Sequence, residues 1–127
     1  MIKNSKFLVN TNGNDIVDIT VRVKETIDKE KINNGLISIH SPSSSAAIGI
    51  MEYNPDMVKD FFSFILAAAP LFKNGKDSSY IKSLIIGNSV NVPYINGDFE
   101  LDRFQRILLF DFDVRKRVRS VIIQIIY

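Results

Sequence analysis

Among the first ten residues, the short run Lys6 to Val9, with three apolar residues after the lysine, reads as a short strand followed by an Asn/Gly turn at Asn10 to Asn14. From Thr20 the spacing becomes helical. Val23 and Ile27 share one face while Lys, Glu and Asp side chains take the other, so a helix capped by Thr20 is expected to run to Ile32. Asn33, Asn34 and Gly35, tolerant of left-handed backbone, stop it. A period of two returns over Leu36 to Ser41, with Ile37 and Ile39 on one side and Ser38 and His40 on the other. Pro42 to Ser45 reads as a turn and Ala46 to Glu52 as a second strand, so these two strands are expected to form a hairpin.

Asn54-Pro55-Asp56 combines an N-cap, a proline at the first helical position and a carboxylate near the positive end of the helix dipole. The helix it opens is expected to reach Ala69 and end at Pro70, burying Met57, Phe61, Phe64, Ile65 and Ala68. Asn74-Gly75 predicts a turn, and Ser78 to Ile86 a short helix closed by Gly87. Asn96-Gly97, between Val90 to Ile95 and Phe99 to Leu101, is a strong hairpin signal. Arg103 to Asp113 and Arg117 to Tyr127 read as two long β-rich segments around a basic turn. Val121 to Tyr127 is almost continuously apolar, which predicts a strand buried on both faces, in an inner sheet position or a subunit contact. The order of elements argues one α+β domain over residues 1–127, with mostly antiparallel sheets and two to three helices.

Composition narrows the class without changing it. The chain of 127 residues is 46% hydrophobic and 24% charged, a globular balance with enough length for a substantial core. It has no cysteine, which removes disulfides, thiolate metal sites and a Cys nucleophile. A net charge of +2 does not announce a nucleic-acid or membrane partner. The longest apolar stretch, Phe64 to Phe72, is broken by Pro70 and too short to span a bilayer, so a cytoplasmic location is expected.

Candidate chemistry is sparse. Walker-type, dinucleotide-binding and nucleophile-elbow glycine motifs are absent. His40 is the one imidazole and lies on a polar strand face, which reads as exposed rather than catalytic. One His with scattered carboxylates is a poor zinc set, so no metal or other cofactor is expected; a carboxylate-held Mg²⁺ has no dedicated motif. Ser43, Ser44 and Ser45 form a strand-linking turn whose amides and hydroxyls suit an oxyanion, although serines also favour turns for local hydrogen bonding. Asp111 and Asp113 point the same way from one strand, as an acid pair or as a solvated face balancing nearby arginines. The stripe Arg115-Lys116-Arg117-Val118-Arg119 contains no stacking aromatic, which favours a hairpin turn or salt bridges across a subunit interface over RNA binding.

Several blocks in order carry a resemblance. Gly35-Leu36-Ile37-Ser38, then Pro42 and Ala46-Ala47, is similar to a strand leading into P-H-T-T-A-A. Glu52 with Asn54 to Asp60 is similar to N-E-x-x-D-P-D-V, and Tyr80-Ile81-Lys82-Ser83-Leu84 to A-H-I-K-A-S-L-L-G. Val92-Pro93 through Gly97 is similar to L-P-V-x-x-G. Phe104-Gln105-Arg106-Ile107, with Asp111-Phe112-Asp113 and Arg117, is similar to W-Q-x-I and E-F-D-G-P-R. From about Asp18 onward the chain thus resembles the YjbQ-type, or secondary thiamine-phosphate synthase, family. The resemblance implies a compact α+β protomer in a homotrimer, with sites near subunit interfaces. It also implies an activity, the joining of a thiazole phosphate to an aminopyrimidine pyrophosphate.

The departures fall on the chemistry. Ser43 and Tyr80 stand where the family has histidines, Phe104 where it has Trp, and Met51 where it has Asn before the Glu. The stretch with a further His and an N-A-D run is shortened to Asn74 to Ser79. The expectation is therefore a YjbQ-like protein with little or no synthase activity that retains an anion pocket for a phosphate-bearing small molecule. Ser43, Ser44, Ser45, Glu52, Lys82 and Gln105 are its candidate ligand-binding residues. The alternatives are a weak synthase using these residues without a histidine base, and a non-catalytic subunit that partners a histidine-bearing relative.

Overall fold

The computed structural model describes residues 1–68 and 78–127. In chain order the elements are β1 (Ile2–Thr11), β2 (Asp15–Asp18), α1 (Thr20–Asp28), β3 (Gly35–His40), β4 (Ala46–Glu52), α2 (Pro55–Ala68), α3 (Ser79–Ile86), β5 (Ser89–Ile95), β6 (Asp98–Phe99), β7 (Gln105–Asp111) and β8 (Arg117–Ile126). The strands build two sheets: a five-stranded one in the order β1-β8-β3-β5-β6, and a three-stranded one in the order β2-β7-β4. Every pairing is antiparallel. The α+β architecture, with three helices among the described residues, is the one expected.

The core lies between the sheets. Alternation in each strand sends Val9, Ile37, Ile39, Val92, Tyr94, Val121, Ile123 and Ile125 inward from the large sheet, and Ala46, Ile48, Ile107 and Leu109 from the small one. Ile19, Val23 and Ile27 of the α1 region join them. Each fully buried aliphatic side chain here contributes about 1.5–3 kcal/mol. On the other side of the small sheet, Ala47, Leu108, Phe110 and Phe112 pack with Phe61 of α2 and Ile86 of α3. This explains why β7 is apolar on both faces. Gly49 lets the layer close, since a Cβ there would lie 2.9 Å from the Phe110 ring.

Local signals hold at three places, but Thr20 does not cap α1: it is the first helical residue, Ile19 takes the cap position, and no side chain caps the helix. Asn54 Oδ1 accepts the Met57 N–H at 2.9 Å, capping α2. The Gly87 N–H returns to the Ser83 carbonyl and closes α3. Asn96 and Gly97 take positive φ at the β5–β6 turn, as a two-residue hairpin requires.

Longer-range expectations needed correction. β3 and β4 do not form a hairpin: β3 lies between β8 and β5, whereas β4 pairs with β7 in the other sheet. β7 and β8 likewise separate into different sheets, so the basic stripe is a corner between sheets rather than a hairpin turn. β1 is ten residues long and runs into the expected Asn10 to Asn14 turn as far as Thr11, and Asp15–Asp18, for which the sequence pattern predicts no element, forms β2 and pairs with β7. α1 ends at Asp28 instead of Ile32. Phe64 is 60% exposed and leaves the α2 stripe, while Ile65 stays buried. β8 has the expected inner position but buries one face, with Ile126 and Gln124 exposed on the other. The expected helix stop at Pro70 and the Asn74-Gly75 turn lie outside the described residues. Among the described residues no helix is long and apolar enough to cross a membrane.

Candidate functional site

The site is built where inward alternation runs out of hydrophobic residues. On β7 the inward row Ile107, Leu109 continues to Asp111; on β8 Ile123, Val121 continues to Arg119; on β1 Val9 continues to Thr11. The apolar core therefore ends in a polar rim at one end of the sandwich. All three residues are buried: Asp111 is 1% exposed, Thr11 2% and Arg119 7%. Beside them the turn joining β3 to β4 brings in Ser43 and Ser45.

Arg119 organises the rim. Its Nε and Nη2 donate to Asp111 Oδ2 and Oδ1 at 2.9 and 2.8 Å, a bidentate ion pair. Nη1 donates to Ser43 Oγ at 2.7 Å, and Nη2 also donates to Ser45 Oγ at 2.8 Å. Thr11 Oγ1 donates to Asp111 Oδ2. One guanidinium thus ties both sheets and the serine turn together. Asn88 holds the turn's backbone from the other side, its Nδ2 donating to the carbonyls of Ser41, Ser43 and Ala46. At the corner beyond, Asp113 accepts from Arg115 and Arg117. Ser43 is half-buried, Ser44 exposed and Ser45 buried.

Burial pushes the Asp111 carboxyl up, but hydrogen bonds from Arg119, Thr11 and the Asp113 N–H outweigh it and leave the group below its ordinary value. Asp113 is held well below the carboxylate range, first by the Arg115 side chain and N–H and then by Arg117. Both carboxylates are therefore charged at neutral pH, and neither is a solvated strand residue as expected. The arginines of the stripe pair within the chain.

The other candidates lie elsewhere. Glu52 and Gln105 sit directly opposite each other across β4 and β7. They are at the far end of β4 from Ser45, about 20 Å away at roughly 3.3 Å per strand residue. Gln105 Oε1 accepts the Asp102 N–H at 2.9 Å, and Glu52 is exposed. Gln105 lines a cleft of about 300 Å³ with Thr20, Lys24, Asp98, Arg103 and Arg106. Lys82 is half-buried on α3. The six candidates therefore do not form one constellation; the serines form one, and Glu52 with Gln105 another.

His40 faces outward from the large sheet, its Nδ1 2.5 Å from Ser89 Oγ. Among the described residues no group of three or more His, Cys, Asp or Glu could hold a metal. Sequence reasoning missed Arg119, Asp111 and Thr11 as site residues. The available signal was parity: each continues the inward-facing row of its strand, where a charge needs a partner.

Two antiparallel sheets with a core between them, helices on the outer side of the smaller one, and a serine turn clamped by a buried arginine–aspartate pair define the structural class. The chain belongs to the YjbQ-like family: the model described as "UPF0047 protein YjbQ-like" matches residues 5–127. A UPF0047 protein of Archaeoglobus fulgidus is 32% identical over 117 residues, covering 87% of this chain and 90% of the relative. One from Methanothermobacter thermautotrophicus is 28% identical over 107 residues, covering 78% and 74%. The fold is similar to the crystal structure of a YjbQ/UPF0047 family protein from Clostridium acetobutylicum, with a TM-score of 0.87 at 26% identity, covering 96% of this chain and 99% of that one. A hypothetical protein from Aeropyrum pernix K1 gives a TM-score of 0.87 at 26% identity, covering 98% of each.

Proposed function

We propose that this YjbQ-family chain has little or no thiamine-phosphate synthase activity and retains an anion pocket, at the serine turn, for a phosphate-bearing small molecule. The observation that carries this reading is Ser43. It stands at the histidine position of the resemblance, and its hydroxyl receives the Arg119 guanidinium. A hydroxyl is a far weaker proton acceptor near neutral pH than an imidazole. Tyr80, at the second histidine position, is exposed on α3. Stabilising a phosphate requires donors and positive charge, both of which this end of the molecule supplies.

The assay is thiamine phosphate formation by the purified protein from thiazole phosphate and aminopyrimidine pyrophosphate. The expected result is no product above background. Turnover that falls on Lys82→Ala would overturn the inactive reading and support the weak synthase. The double variant Ser43→His with Tyr80→His tests whether the pocket still admits the missing chemistry, and a gain in anion binding is expected.

The same reading includes a homotrimer. Its support is the apolar outer face of α3, where Leu84 is 74% exposed beside Tyr80, Ile81 and Ile85, more apolar surface than one isolated side chain would present. Native mass measurement of the purified chain is expected to give three copies; a monomer, or a complex formed only with a histidine-bearing relative, counts against it.

A further inference from the structure

We infer that the cleft at the Gln105 end is a binding site for a small zwitterion, of the class of an α-amino acid with an apolar side chain. The site is independent of the anion pocket read at the serine turn, which lies at the other end of the sandwich.

The cleft is lined by the start of α1, the β5–β6 hairpin and the loop leading into β7, and it holds about 300 Å³. The share of one water molecule in the liquid is about 30 Å³, so the volume suits a ligand of roughly ten non-hydrogen atoms.

Its charged groups are held in place, and each keeps hydrogen-bonding capacity to spare. Asp102 to Gln105 form a tight turn that is closed twice. The Gln105 N–H donates to the Asp102 carbonyl at 3.0 Å, and Gln105 Oε1 accepts the Asp102 N–H at 2.9 Å. The two N–H groups of the Gln105 side chain remain to be given, and the Asp102 carboxylate remains to accept. Arg103, inside the turn, lies over the Phe104 ring and meets no carboxylate among the described residues. Arg106 commits only its Nε, to Asp18 at 2.7 Å, which leaves its Nη groups for a ligand. Asp98 Oδ1 accepts the Phe99 N–H at 2.9 Å and lies 3.9 Å from Lys24 Nζ, while its second oxygen is not engaged.

The balance of charge decides the ligand class. Lys24, Arg103 and Arg106 share the lining with Asp98 and Asp102; counting Asp28 and Asp18, the partners of Lys24 and Arg106, three cations face four carboxylates. A simple anion or a simple cation therefore meets repulsion as well as attraction. A molecule with both charges sets its carboxylate on the guanidinium forks and its ammonium on Asp98 or Asp102, and both sets of hydrogen bonds are charge-assisted. Val21, Phe99 and Leu101 complete the lining. Val21 is 58% exposed, an apolar surface that the body of such a ligand would cover.

The test titrates the full-length protein with phenylalanine, with 3-phenylpropionate, which lacks the ammonium, and with 2-phenylethylamine, which lacks the carboxylate. Amide resonances of Val21, Phe99 and Gln105 report binding. Phenylalanine is expected to bind at least about tenfold more tightly than either control, since each missing charge removes a charge-assisted hydrogen bond. Arg103→Met, at an exposed position without an ion pair, should weaken phenylalanine by roughly tenfold without weakening 2-phenylethylamine. Asp102→Asn should weaken phenylalanine without weakening 3-phenylpropionate. A control that binds as tightly as phenylalanine, or no movement of the cleft resonances with any of the three, would overturn the inference. So would displacement of phenylalanine by inorganic phosphate at constant ionic strength, which would make the cleft an anion site. Phosphate that leaves the Ser43 to Ser45 resonances unmoved would instead overturn the serine-turn reading and leave the zwitterion site standing.

Discussion

The two ends of the sandwich use the same kinds of residue in opposite ways. At the serine-turn end, Asp111 and Arg119 are paired inside the protein, both nearly without solvent contact. At the Gln105 end, Lys24 reaches Asp28 at 3.8 Å and Asp98 at 3.9 Å with all three side chains substantially exposed, and Arg106 meets a partly exposed Asp18 at 2.7 Å. Exposed pairs are solvated whether or not they meet, so each contributes about 0–1 kcal/mol. A buried pair has given up its hydration, so removing one partner leaves the other stranded. Counting salt bridges would treat these ends as equal. Burial separates them.

Arg119→Met is the severest way to break that contrast. It strands Asp111 and removes the donor from Ser43 and Ser45 together, with an expected loss of about 3–5 kcal/mol in denaturant unfolding. Arg119→Met combined with Asp111→Leu should lose less than the single change, because no buried charge remains. A single-variant loss below about 1 kcal/mol would mean the pair behaves as an exposed one.

Acid probes the same end without mutation. Asp111 and Asp113 both titrate lower in the fold than unfolded, so the folded state binds fewer protons. Their stabilisation is full above the unfolded value of about 3.9 and is lost as the pH falls through the lower folded values. Melting temperature should therefore drop below about pH 4, and Asp111→Asn should flatten that drop while lowering stability at pH 7.

At the opposite end the strongest polar contribution is a neutral one. Thr20 Oγ1 is buried, accepts the Ile107 N–H at 2.8 Å and donates to Asp18 at 2.7 Å. Thr20→Val keeps the shape but leaves a buried N–H without its acceptor, for an expected loss of about 1–3 kcal/mol by the same unfolding measurement. A loss smaller than that of Lys24→Met would show that this end is held by its charges after all.

These differences were only partly legible in the sequence. The α2 cap at Asn54, the closure of α3 at Gly87 and the Asn96-Gly97 hairpin were readable because each is decided within a few residues, by a cap or by positive φ. Sheet membership is not local. The short links from His40 to Ala46 and from Asp111 to Arg117 look like hairpin turns, yet both carry the chain from one sheet to the other. The inward parity of Asp111 and Arg119 could be read, but their partnership depends on that crossing, so they passed as surface charges. Ser43 to Ser45 were found as a turn; the guanidinium beneath them was hidden by the same error. Glu52 and Gln105 lie opposite each other across β4 and β7, and strand length puts them far from the serines.

The smallest expected effect sharpens the comparison most cheaply. Lys24 Nζ donates to the Tyr94 hydroxyl at 3.2 Å and to the Gly97 carbonyl at 2.8 Å, while Tyr94 itself donates to Asp28. The Tyr94 hydroxyl keeps its acceptor when Lys24 is removed, so Lys24→Met strands no buried group and should lose under about 1 kcal/mol. Salt discriminates further. At 1 M ionic strength the screening length is about 3 Å, so whatever the exposed pairs of Lys24 contribute should largely vanish, and the wild type and Lys24→Met should converge in stability. The gap between wild type and Arg119→Met should persist under the same salt, because ions do not enter the space between Arg119 and Asp111. If both gaps closed alike, the rim at the serine turn would be as open to solvent as the Lys24 end.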